Sequence, residues 1–102
     1  MAKIRWTNEA VNWLNDIFEY ISQDNPNAAH RVIEGIYNKA QILSEYPKIG
    51  HIYRTEGEGE IRILLYGHYR ITYLLKSDEI VEILGVFHGA MEIERYLNKI
   101  NG

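Results

Sequence analysis

From Ile61 to His88 the chain alternates apolar and polar positions in three runs, I-R-I-L-L-Y, Y-R-I-T-Y-L-L and I-V-E-I-L-G-V-F-H. Gly67-His68 and Lys76-Ser77-Asp78-Glu79 separate them. Period-two alternation rich in β-branched and aromatic residues, broken by Gly, Ser and Asp, predicts an antiparallel β-meander. Upstream the period changes. Ala10, Trp13, Leu14, Ile17, Phe18 and Ile21 fall at helical spacing, with Thr7 as N-cap and Glu9 in the first turn. This helix is expected to end near Gln23.

Asp24-Asn25-Pro26 closes that helix and opens another, with Asn25 as cap and Pro26 at the first helical position. Ala29, Val32, Ile33, Ile36, Tyr37, Ala40, Leu43 and Tyr46 continue the stripe until Pro47 and Gly50 stop it. So short a link makes an αα-hairpin, and Gly35 within it reads as a point of close helix–helix approach. Lys3 to Trp6 reads as a brief strand, Pro47 to Gly59 as a loop, and Ala90 to Ile100 as a short helix with Ile93, Tyr96, Leu97 and Ile100 on one side. The order is β-α-α-β-β-β-α, an α+β fold in which a helical hairpin packs on a small antiparallel sheet.

At 102 residues the chain is one domain. It has no Cys, so disulfides, thiol nucleophiles and Cys-ligated zinc are excluded, and a cytoplasmic location is the expectation. No apolar run approaches the roughly 20 residues of a membrane span. Net charge is −3. The stretch from Thr7 to Tyr46 holds six acids against two bases, a net of −4, and the remainder holds eight acids against nine bases, a net of +1. Neither is the basic surface of a protein that binds by neutralising phosphates, so direct sequence-specific nucleic-acid binding is not expected. His30, His51, His68 and His88 form no set with metal-ligand spacing, and no cofactor is expected.

Several segments together carry a resemblance. I-R-W-T-x-E-A at 4 to 10, Y-I-S-x-D-N-P at 20 to 26, Tyr46-Pro47-x-x-Gly50, Arg62, G-H-Y-R-I-T-Y at 67 to 73 and V-F-H-G-A at 86 to 90 occur in order over nearly the whole chain. They resemble the RelE/ParE superfamily of bacterial type II toxins, and within it the ParE, or plasmid-stabilisation, branch. The resemblance implies a growth-inhibiting toxin neutralised by a cognate antitoxin. RelE-branch proteins cleave mRNA on the ribosome, whereas characterised ParE-branch proteins inhibit DNA gyrase.

Three residues are candidates for target or antitoxin binding: Arg62, Arg70 and His88. Arg70 and His88 are also the candidates for catalysis, should the chain be an endoribonuclease. A metal-independent cleavage by 2′-hydroxyl attack needs a cation for the phosphorane and an acid or base near neutrality. Against it, Gly89 stands where the nuclease pattern wants a basic residue, Tyr96 does not match the spacing of the nuclease tyrosine, and the protein is acidic. The preferred reading is a toxin that binds a protein target; a RelE-type endonuclease and a non-toxic binding module are the alternatives. The turn lengths pair Tyr66 with Tyr69, Leu75 with Ile80 and Arg70 with Gly85, which sends Arg70 and His88 to opposite faces.

Overall fold

The computed structural model describes residues 1–77, 79–89 and 93–101. Its elements are β1 (Lys3–Trp6), α1 (Asn8–Ser22), α2 (Pro26–Gln41) followed by a 3-10 turn at Ile42–Ser44, β2 (His51–Glu56), β3 (Gly59–Tyr66), β4 (Tyr69–Ser77), β5 (Ile80–His88) and α3 (Ile93–Asn101). The five strands form one sheet in the order β1-β5-β4-β3-β2. The α1–α2 hairpin covers one face and α3 the other.

The caps act as the sequence suggests. Thr7 Oγ1 accepts from the Ala10 N–H at 3.1 Å and donates to the Ile83 carbonyl at 2.7 Å, so one hydroxyl starts α1 and ties it to β5. Asn25 Oδ1 accepts from the Ala28 N–H at 3.1 Å, with Pro26 next. Ala10, Ile36, Ala40 and Leu43 from the helical side meet Ile71, Tyr73, Val81, Ile83 and Val86 of the sheet, all fully buried. On the opposite face Ile93 and Leu97 of α3 pack on Ile61, Ile63, Leu84 and Phe87. Trp13 joins the two cores across β5, lying edge-on to Phe87 at 5.0 Å and to Tyr96 at 4.9 Å. Beyond Trp6, β1 no longer flanks β5.

Four expectations are corrected. The sheet is not wholly antiparallel: β1 runs parallel to β5, pairing Lys3 with Ile80 through Trp6 with Ile83. Pro47 to Gly59 is not all loop, because His51–Glu56 forms an edge strand on β3. Its six residues read as polar because an edge strand buries little. Gly35 does not bring the helices together; a Cβ there would lie 1.9 Å from the Tyr66 hydroxyl, so the missing side chain admits Tyr66 from the sheet. Finally, Ser77 rather than Leu75 pairs with Ile80, and that two-residue offset carries Arg70 opposite Phe87 rather than Gly85; the irregularities at Leu75/Ser77 and Thr72/Tyr73 shift the register by one residue and back again. Within the expected last helix, residues 90–92 lie outside the described residues, as does the side chain of Ile100, and α3 begins at Ile93.

Candidate functional site

Ladder pairing fixes the backbone positions of the two central candidates. Tyr69 pairs with His88 and Arg70 with Phe87. Since side chains alternate across a strand, Arg70 shares the α3 face with Phe87, and His88 shares the hairpin face with Tyr69. The rings of Tyr69 and His88 meet edge-on at 6.0 Å. Opposite faces do not separate the residues, because both sit where β4 begins and β5 ends. Arg70 Nη2 donates around that end to the carbonyls of His88 at 3.4 Å and Gly89 at 3.2 Å.

A shallow recess of about 350 Å³ lies at this end, lined by Leu65, Gly67, His68, Arg70, His88 and Gly89. The β3–β4 turn brings His68 into it. Gly67 takes φ +57°, a left-handed conformation that costs glycine little, and the tight turn lets the Gly89 N–H donate to the His68 carbonyl at 2.8 Å. The imidazoles of His68 and His88 then stack with centroids 6.2 Å apart. His68, which belongs to no metal-ligand set in the sequence, thus joins the recess. Its place in a two-residue turn beside Arg70 was the available signal, but its proximity to His88 depends on the β4–β5 register.

Behind His88 a wider groove of about 590 Å³ runs between α1 and the sheet, walled by Trp13, Ile17, Tyr20, Ile21, Tyr69 and Val86, with Asp16 at its margin. Tyr20 is 77% exposed there. Burial pushes the Tyr69 phenol above its ordinary value of 10.0. Among the described residues no three His, Asp or Glu side chains are grouped to hold a metal.

Arg62 occupies a different place. It is 9% exposed, and its guanidinium binds Glu60 Oε1 through Nε and Nη2, both at 2.9 Å. Nη1 donates to the carbonyls of Lys48 at 2.9 Å and Gly50 at 2.6 Å. The fully buried Tyr73 reinforces the same loop, donating to the Pro47 carbonyl at 2.7 Å and accepting from the Gly50 N–H at 3.1 Å. Arg62 pairs with Tyr73 across the β3–β4 ladder and stands on the hairpin face. The structure therefore brings Arg70, His88 and His68 together, and sets Arg62 under the loop that precedes β2.

The chain is similar to several known proteins. The family described as the ParE toxin of type II toxin–antitoxin systems, parDE, matches residues 4–93. The putative toxin Y4kP of Sinorhizobium fredii is 40% identical over 86 residues, spanning 84% of this chain and 86% of that protein. Toxin RelE2 of Caulobacter vibrioides is 32% identical over 91 residues, spanning 88% and 98%. A chain from the chromosomal ParDE toxin–antitoxin system of P. aeruginosa superposes with a TM-score of 0.70 at 21% identity, covering 86% of this chain and 96% of its own length. At that identity the structural match speaks for the fold alone.

Proposed function

Since this chain belongs to the ParE toxin family of type II toxin–antitoxin systems, we propose that it arrests growth by occupying a surface of a protein target, with DNA gyrase the candidate the resemblance supplies, and that a cognate antitoxin holds it inactive. The observation that carries the binding reading over cleavage is the setting of Arg70. Its guanidinium lines one recess with His88 but donates to the carbonyls of His88 and Gly89, so its hydrogen bonds are spent on the backbone of the strand end. In-line attack on a phosphodiester asks for a cation and a general acid or base converging on one phosphorus. Gly89, where the nuclease pattern wants a basic residue, supports the same preference.

Arg70 and His88 act in this reading as contact residues at the rim of the recess, beside the exposed apolar groove of Trp13, Ile17 and Tyr20. A cluster of aromatic side chains next to an arginine suits a protein interface. Arg62 acts as a positioning residue for the Pro47–Gly50 loop. The test is a supercoiling assay with purified protein and gyrase. Inhibition that weakens in Arg70→Ala and His88→Ala is expected, and gyrase activity left untouched by the wild type overturns the assignment. Ribosome-programmed mRNA cleavage abolished by the same substitutions would put the endonuclease in its place.

A further inference from the structure

The protein carries a net charge of −3, and its helical stretch from Thr7 to Tyr46 a net of −4. The recess where β4 begins and β5 ends departs from that background. Its lining holds one guanidinium and two imidazoles, from Arg70, His68 and His88, and no carboxylate. Leu65, 56% exposed, gives it an apolar wall. A Cβ at Gly67 would meet nothing within 4 Å, so the turn side stands open.

The two imidazoles are placed as a pair. Their planes lie 27° apart with centroids 6.2 Å apart, and both residues are exposed. A two-oxygen anion lying across such rings accepts a hydrogen bond from each. The backbone beneath them is already fixed: Gly67 takes its left-handed φ, and the Gly89 N–H holds the His68 carbonyl at 2.8 Å. Binding there therefore orders little besides the two rings. Arg70 takes a different part. Its Nη2 bonds to the carbonyls of His88 and Gly89 anchor the guanidinium at the strand end, where it supplies charge while the imidazoles supply donors.

We propose that this recess takes a single carboxylate, an Asp or Glu side chain of the protein target, with His68 and His88 donating to its oxygens and Arg70 favouring its charge. This rests on the target reading above, names the chemistry of the contact and adds His68 to it. A phosphodiester chain suits the recess less well. A polyanion is held by a run of cations, whereas Arg70 is the one Lys or Arg in the lining, and Asp16 stands at the margin of the adjoining groove.

The pair also gives the contact a pH dependence. Protonation adds a second N–H and a positive charge to an imidazole, so affinity for a carboxylate rises as pH falls through the imidazole range of about 5 to 8 and declines above it. Among the described residues, the other titratable or charged groups facing the pair are Tyr69 and Arg70 of β4 and, across the groove behind His88, Asp16 and Tyr20 of α1. None is a further imidazole, so the response in that range belongs to His68 and His88.

The experiment is an NMR titration of the whole protein with two monoanions, acetate and dimethyl phosphate, at constant ionic strength and at about pH 5.5 and 7.5. Acetate is expected to shift residues 67–70 and 88–89 with a Kd of about 10–100 mM, at least about threefold tighter at the lower pH. His68→Ala abolishes the site, and His68→Lys keeps it at the higher pH. In the supercoiling assay with gyrase, His68→Ala weakens inhibition about tenfold and His68→Lys restores it. Acetate shifts scattered over the surface, or unchanged in His68→Ala, overturn this inference and leave the target reading standing. Acetate bound in the recess by a protein that leaves gyrase untouched supports the carboxylate site and overturns the gyrase assignment. Dimethyl phosphate bound about tenfold more tightly than acetate overturns the proposed ligand in favour of a phosphodiester.

Discussion

Replacing Tyr73 with Phe removes a single oxygen from the centre of the protein and tests how the loop before β2 is held. The hydroxyl is fully buried, donates to the Pro47 carbonyl at 2.7 Å and accepts from the Gly50 N–H at 3.1 Å. Phe fills nearly the same space, so the transfer and cavity terms are small. What remains is one backbone acceptor and one backbone donor without this partner, each costing about 1–3 kcal/mol when water does not reach it. Burying the smaller, wholly apolar ring returns part of that. The net expectation is a loss of about 2–4 kcal/mol, a large share of the roughly 5–15 kcal/mol that holds a domain of this size. The assay is equilibrium urea unfolding, where the midpoint falls and the slope stays constant because the surface exposed on unfolding is unchanged. The melting temperature drops by roughly 10–25 °C. Tyr46→Phe, at a 56% exposed side chain, is the control and moves stability by less than about 0.5 kcal/mol. A Tyr73→Phe protein as stable as that control refutes the account of the loop anchor.

Other consequences follow from the same contacts. Thr7→Ala loses both the α1 cap and the bond to the Ile83 carbonyl, at about 1–2 kcal/mol by urea unfolding, and Thr7→Ser restores most of it. Gly59→Ala places a Cβ 2.1 Å from the Leu75 carbonyl, a backbone atom of the neighbouring strand, and costs more than about 2 kcal/mol. Gly57→Ala, with nothing within 4 Å of its Cβ, stays within about 0.5 kcal/mol of wild type. Burial raises the phenols of Tyr69 and Tyr73 above 10.0, and a hydrogen bond to Glu94 raises that of Tyr53. The folded state thus holds these protons more tightly than the unfolded chain. Their contribution is complete below pH 10.0 and is lost as pH rises through the folded values, so urea midpoints fall on the alkaline side, less steeply in Tyr73→Phe.

The parts of the fold legible in the sequence are those whose signals are local. Thr7, Asn25 and Pro26 mark helix starts through chemistry completed within three residues, and the structure begins α1 and α2 there. The β-branched and aromatic runs from Ile61 to His88, broken by turn residues, mark three strands, and three strands stand where they predict, with residues 61–64 and 83–87 buried on both faces of the sheet. Likewise, the amphipathic stripe of α1 faces the core through Ala10, Trp13, Leu14 and Ile17.

Tertiary structure decided what depends on partners far along the chain. The strand character of His51–Glu56 comes from its ladder with β3 and from Arg54 and Tyr53 reaching Glu94, contacts that hydropathy does not encode. Gly35 is explained by Tyr66, 31 residues away in sequence, and not by its own helix. The pairing of Ser77 rather than Leu75 with Ile80 sets Arg70 opposite Phe87, because β4 continues two residues further toward β5 than its apolar run predicts. The recess of Arg70, His68 and His88 is therefore a product of register. The sequence named Arg70 and His88 and the parity that parts their side chains; only the packed sheet brought the Arg70 guanidinium to the His88 carbonyl and set His68 against the His88 ring, because strand ends that lie 18 to 20 residues apart become neighbours only when the ladder closes.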